Sequence, residues 1–248
     1  MSFFMPISIS IIAGLSTLLG TLPIFIRWKE KQVEKAITFS LSLSIVIMIG
    51  ISIIELIPEA SFTILSKHKI IKGSIISISL FILSIIIIEI LNKKIEKGSR
   101  LYQIGILSMF TLMIHNMPEG IITFYSANYS LKLGIKMGLS IMLHNISEGI
   151  CIAMPIYFGT RSKKKAILYT LLSGLSEPLG AILTFFIFKD IVSEIAIAYI
   201  LIITAGFMIT LSIEHMLPKA LEYHQAKYLT LGIIAGIILL FITNMFIK

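Results

Sequence analysis

Eight apolar runs of about twenty residues take up most of this chain, at 5–26, 36–57, 73–91, 102–125, 133–157, 166–188, 194–217 and 229–247. The hydrocarbon core of a bilayer takes about 20 apolar residues per helix. In lipid, every backbone N–H and C=O must be bonded inside the spanning structure. Runs this long and continuous read as helices, because barrel strands would be about ten residues long and alternating. Composition agrees: 56% of residues are hydrophobic, 14% are charged, and the mean hydropathy is +0.97. A soluble domain is about 25% charged, and no water-soluble core could bury this much apolar surface. The fold class is therefore all-α, a polytopic membrane protein of eight transmembrane helices. It forms one transmembrane domain over 1–248, with no room for a separate soluble domain. The first run lacks a basic leader and a small-residue cleavage site, so it reads as a retained span.

The net charge of +8 does not indicate nucleic-acid binding, because the basic residues sit in short connectors. Arg27, Lys29, Lys31 and Lys35 follow span 1, and Lys93, Lys94, Lys97 and Arg100 follow span 3. Arg161, Lys163, Lys164 and Lys165 follow span 5, and Lys219 and Lys227 follow span 7. Lys67, Lys69, Lys72, Lys132, Lys136, Lys189 and Lys248 fall on the other side. Lys and Arg favour the cytoplasmic face, which places both termini outside the cytoplasm. The single cysteine, Cys151, excludes an intrachain disulfide and reads as a small core residue.

Two internal similarities organise the spans. LMIHNMPEGI (112–121) and IMLHNISEGI (141–150) lie 29 residues apart, on adjacent spans 4 and 5. SIIELIPEA (52–60) and SIEHMLPKA (212–220) lie 160 residues apart, on spans 2 and 7. Each pair is separated by an odd number of spans, so its members run oppositely through the membrane. That is the pattern of an inverted repeat, here spans 1–3 against spans 6–8 around spans 4 and 5.

The chemistry lies in the middle of the oil. His115 and Glu119 are mid-span 4, His144 and Glu148 mid-span 5, and Glu177 mid-span 6. An ionisable residue at the bilayer centre costs at least about 2.5–3.5 kcal/mol, so several in one chain demand compensation by a cation or by shared protons. Each His and Glu pair is spaced i, i+4 and shares a helix face. Asn116 and Asn145 lie about 100° round from the histidines. Imidazoles, amide oxygens and carboxylates in this set suit divalent Zn, Fe, Mn or related metals. Three carboxylates against one divalent ion leave excess negative charge, which a second ion or protons would relieve. A lone buried His or Glu often serves only to bond two helices together; two copies of one motif at equal depth are hard to explain that way. Pro118 and Pro178 loosen the backbone beside the site. Glu55 and Glu59 lie toward the outer end of span 2, and Glu89, Glu214 and His215 at the inner ends of spans 3 and 7; these residues mark a way in and a way out. His68 and His224 fall in loops and read as solvated.

HNMPEG, HNISEG and SGLSEPLG on spans 4, 5 and 6 resemble the ZIP (Zrt-, Irt-like protein) family of divalent metal transporters, nearest its bacterial ZupT-type zinc-uptake branch. The resemblance covers nearly the whole chain, including ELIPEA and SIEHMLPKA. It implies movement of zinc, and also iron, manganese, cadmium or cobalt, toward the cytoplasm across the cell membrane, by alternating access and with no resident cofactor. It implies a two-metal site formed by His115, Asn116, Glu119, His144, Asn145, Glu148 and Glu177, with Glu119 and Glu148 as bridges. Glu214 and His215 resemble inner-end metal contacts. A homodimer is implied at the family level. Two departures stand out. Ser147 replaces the usual proline of the second motif, and the connector NKKIEKGSR has no histidine run.

Two rival readings have less support. An intramembrane metalloenzyme would want HExxH or many histidines, and the chain has no such motif and five histidines. A metal exporter would use the same ligands in the opposite direction. No GxxxxGK[ST] loop is present, so transport would draw on an ion gradient or the membrane potential.

Overall fold

The computed structural model describes residues 3–94, 98–186 and 193–247, and every regular element in it is helical. Lys97, Lys189 and Lys248 of the charge pattern lie outside the described residues. Eight helical rods follow in order. The first is α1 (Phe4–Ser16) continued by a 3-10 stretch, Thr17–Phe25. The second joins α2 (Glu30–Ile51) and α3 (Ile57–Lys67) through a wide π turn, Ser52–Leu56. Then come α4 (Ile70–Lys94), α5 (Arg100–Tyr129), α6 (Leu131–Thr160) and α7 (Lys163–Phe186). The seventh joins α8 (Glu194–Thr210) and α9 (Leu217–Glu222) through a second π turn, Leu211–Met216, and α10 (Ala226–Ile247) closes the chain.

Seven of these rods are long and apolar enough to cross a membrane. The eighth, α5, has the length at 30 residues but is diluted by HNMPEG. Its polar side chains nevertheless turn inward: His115, Asn116 and Glu119 are all buried. The rods overrun the apolar runs at their ends because helical hydrogen bonding continues into the polar connectors.

The two π turns occupy the two segments that match at 160 residues, and each precedes a proline, Pro58 or Pro218, at the start of the next helix. A proline cannot donate to the carbonyl four residues back. The backbone widens by one residue ahead of it, a device common at functional sites. The turns carry Glu55 in one case and Glu214 with His215 in the other.

Packing divides the rods into two bundles. α1 with its 3-10 stretch, α5, α6 and α7 form one; α2–α3, α4, α8–α9 and α10 form the other. They meet along a seam where α6 touches α2 and α10, and α5 touches α8. The grouping cuts across the order of the chain, yet each bundle keeps the matched spans together, 4 with 5 and 2 with 7. Its physical cause is small residues. A Cβ at Gly14 would overlap the Gly174 carbonyl, joining α1 to α7; one at Gly232 would overlap Ser42, joining α10 to α2. For the fifteen helical glycines, the nearest atoms a Cβ would meet lie inside the glycine's own bundle. Outward faces carry isoleucine and leucine, as at Ile71, Ile75, Ile78, Ile82 and Ile86 of α4.

Candidate metal centre

Helix geometry brings the two HN motifs together. His115 lies about 22 Å along α5 from its start and His144 about 20 Å along α6, at 1.5 Å per residue. The two helices are antiparallel, so the depths coincide, and Glu177 lies about 21 Å along α7 by the same measure. Close helix contact then sets the register. A Cβ at Gly120 would overlap the backbone carbonyl of Glu177 itself, and one at Gly180 the carbonyl of Met117. On the far side, a Cβ at Gly149 would overlap the carbonyl of Thr17. The glycine that ends each motif therefore seats the turn carrying these polar side chains against its neighbour.

The resulting cage has two connected halves. In the first, Glu119 Oε1 lies 2.8 Å from His144 Nε2 and 3.2 Å from His115 Nε2. Glu148 Oε1 lies 3.4 Å from His115 Nε2. His115, His144 and Glu148 each bring one ligand atom within 4.8 Å of the others. In the second half, Asn145 Nδ2 donates to Glu177 Oε2 at 2.8 Å and to the Ala13 carbonyl at 3.0 Å. With its amide nitrogen turned toward acceptors, Asn116 donates to the Leu112 carbonyl at 2.8 Å and to Glu148 Oε2 at 3.2 Å. A half-turn of that amide would present its oxygen to a cation instead. Glu148 thus faces both halves.

The cage is buried and incompletely satisfied. Glu148 and Glu177 are fully buried, and Glu119, His115 and His144 nearly so. Among the described residues no lysine or arginine forms an ion pair with any of these carboxylates. Glu119 Oε2, Glu177 Oε1, Asn145 Oδ1 and His115 Nδ1 lack hydrogen-bond partners; among the described residues His115 Nε2 has only Glu119 and Glu148 within ion-pair distance, and Glu148 Oε1 only His115. A buried polar atom left unpaired costs about 1–3 kcal/mol, and more when charged. So many converging lone pairs, all supplied by oxygen and nitrogen, fit a borderline divalent cation.

Other sequence candidates fall at the edges. Glu55, half-buried, and exposed Glu59 lie near enough to the cage for Glu59 to feel the charges of Glu55 and Glu119. The rod that carries them runs on through α3 to Lys67. Glu89, Glu214 and His215 do come together, with ligand atoms within 4.8 Å of one another. His215 Nε2 lies 3.0 Å from Glu89 Oε1. His68, read as solvated, instead bonds Tyr199 Oη at 3.0 Å.

Two contacts escaped the sequence. Arg100, read only as a topology signal, puts Nη2 2.6 Å from His215 Nδ1; nothing in the spacing marked it out. Ser147 Oγ donates to the His144 carbonyl at 2.6 Å. Where a proline would loosen α6, the serine keeps its N–H and adds a local bond beside His144.

Residues 89–244 match the family model for ZIP zinc transporters. The chain is 38% identical over 247 residues to the zinc transporter ZupT of Streptococcus mutans, covering 92% of each. It is 36% identical to the zinc transporter ZupT of Akkermansia muciniphila, covering 92% of each, and 34% identical to that of Chlorobaculum parvum, covering 96% of each.

Proposed function

The chain belongs to the ZIP zinc-transporter family, and from that premise we propose that it carries divalent metal ions across the cell membrane into the cytoplasm. Zinc is the primary cargo, and iron, manganese, cadmium and cobalt are further candidates. The observation that carries this reading is the cage of unpaired oxygen and nitrogen atoms at mid-depth between α5, α6 and α7. His115, His144, Glu119 and Glu148 hold one ion; Asn116, Asn145, Glu119, Glu148 and Glu177 hold the second. Glu148 faces both ions, and Glu119 is the other bridging carboxylate.

Each step follows from these residues. A hydrated ion is drawn toward the cage by the carboxylates of Glu55 and Glu59. It sheds water as the imidazoles and carboxylates replace it, and protons leave the ligands as metal binds. Glu89, Glu214 and His215 then receive the ion at the basic end, which faces the cytoplasm by the distribution of Lys and Arg. Both termini lie on the opposite side.

The moving part is the bundle of α1, α5, α6 and α7. Glycine contacts weld it internally, and the closest of them all fall within one bundle. It shifts as a body against α2–α3, α4, α8–α9 and α10, and the spans 1–3 and 6–8 repeat supplies two equivalent end positions. The family resemblance adds a homodimer.

Proteoliposomes containing the purified chain and a trapped zinc-sensitive dye test this reading. An inward zinc gradient should raise the signal, and His144→Ala or Glu148→Gln should abolish the rise. No uptake of zinc, iron, manganese or cadmium by correctly folded protein would overturn it. The same vesicles with the gradient reversed separate uptake from export.

A further inference from the structure

The basic end of the seam carries an arrangement that transport through the midplane cage does not account for. Arg100 opens α5, in the metal-bearing bundle, while His215, Glu89 and Asn92 belong to the other bundle. Arg100 reaches across. Its Nη1 donates to Asn92 Oδ1 at 3.3 Å and to Gln103 Oε1, on its own helix, at 3.3 Å. Its Nη2 meets His215 Nδ1 at 2.6 Å. Among the described residues few side-chain hydrogen bonds cross the seam. Arg100 makes two of them, at the end where the ion must leave.

The chemistry of His215 makes the Arg100 bond conditional. A guanidinium has only donors, so Nδ1 of His215 must offer its lone pair to it. A neutral imidazole then carries its proton on Nε2, where it donates to Glu89 Oε1 at 3.0 Å. A cation seated among Glu89, Glu214 and His215 needs the lone pair of Nε2. The ring proton must then pass to Nδ1, and an N–H at Nδ1 cannot accept from Arg100. Bond and metal exclude each other at one imidazole. Charge acts in the same direction, since the guanidinium supplies a positive charge to a cluster with two carboxylates.

We propose that Arg100 is a latch that holds the metal-bearing bundle to the Glu89, Glu214 and His215 cluster and that a divalent cation arriving there releases. The inference rests on the transport reading for the route of the ion. Occupancy of the last cluster and loosening of the seam become one event, so the basic end opens only with cargo present. Arg100 touches the ion at no stage; it is a positioning residue that acts through His215.

Two measurements on the full-length protein test the latch. In the first, the midplane cage is disabled by His115→Ala with His144→Ala, and residual cadmium binding is measured by calorimetry. Arg100→Gln should raise the residual affinity by about tenfold or more, the scale on which partners of a metal-binding histidine act. Adding His215→Ala should cancel the gain, and Arg100→Lys should fall between the two arginine and glutamine proteins. In the second, the cage is left intact, so its folding is not in question. Nitroxides at Ser99→Cys, just ahead of α5, and Glu222→Cys on α9, with Cys151→Ser, report the distance across the seam. The distance should widen on adding zinc to the Arg100 protein and be wide without zinc in Arg100→Gln. Unchanged residual affinity, no residual binding in any variant, or a distance indifferent to Arg100→Gln would overturn the latch. Failure of uptake in vesicles would instead strike at the route, and leaves both of these readouts intact.

Discussion

Replacing Gly120 by alanine tests how the metal centre is held together without touching a ligand side chain. The added Cβ would lie inside contact distance of the Glu177 carbonyl oxygen and near the Ala181 backbone nitrogen. Both obstacles are backbone, so no side chain can swing away. Non-bonded carbon contacts settle at about 3.5–4.0 Å, and α5 must part from α7 by about 1.5–2 Å along this contact to reach that range. Metal–ligand distances tolerate about 0.2 Å, so the shift is several times what a coordination sphere absorbs. It separates Glu177 on α7 from Asn116 on α5, the two outer members of the second half. His115 and His144 pack across the α5–α6 contact instead and move less. The expected result is loss of one bound zinc per chain, or a fall of about 10–100-fold in its affinity, with the other retained. Overpacking should also destabilise the protein by about 1–3 kcal/mol. Zinc stoichiometry by mass spectrometry, with a thermal melt alongside, reads both. Gly206→Ala in the other bundle meets mainly the Ser84 side chain and should keep both ions. A Gly120→Ala protein that binds two zinc ions at the original affinity would refute the account of how α7 is seated.

Removing the Asn145 amide with Asn145→Ala breaks the ties to Glu177 and the Ala13 carbonyl together; metal binding in the second half should weaken by about 10–100-fold, measured by zinc titration. Binding should release protons, because neutral imidazoles and ionised carboxylates are the ligand forms. Apparent zinc affinity should therefore fall as pH falls, and the binding enthalpy measured in two buffers should differ in proportion to their ionisation heats. Ser147→Pro removes an N–H from α6 and the bond to the His144 carbonyl; it should alter the uptake rate while zinc stoichiometry stays the same. Lys67→Ala deletes an exposed pair with Glu194 and should change stability by no more than about 1 kcal/mol, within the scatter of a melting experiment.

The spans and the cage were legible in the sequence for separate reasons. Apolar length alone located the rods, because lipid leaves a backbone few options. It also came close to hiding α5, whose motif lowers its hydropathy while its burial keeps it in the membrane. Repetition exposed the cage: the i, i+4 spacing in HNMPEG fixes a face, and HNISEG at matched depth supplies the opposite one. The division into two bundles was not legible. Isoleucine fills inward and outward faces alike, and the contacts that decide the grouping, such as Gly14 with Gly174, join residues far apart in the chain. Arg100 was hidden for a related reason. A basic residue beside a connector looks like any other until the π turn of Leu211–Met216 aims His215 toward it.

The central claim is that the buried atoms of His115, His144, Glu119, Glu148 and Glu177 are the transported ion's binding site. Anomalous scattering at the zinc absorption edge, on crystals of the full-length protein grown with zinc, tests it most directly. The account predicts a peak within about 2.0–2.2 Å of a ring nitrogen from each of His115 and His144 and of a carboxylate oxygen, with a second peak on the Asn145 and Glu177 side of Glu148. Zinc found only at the bundle ends, with the cage empty, would contradict it.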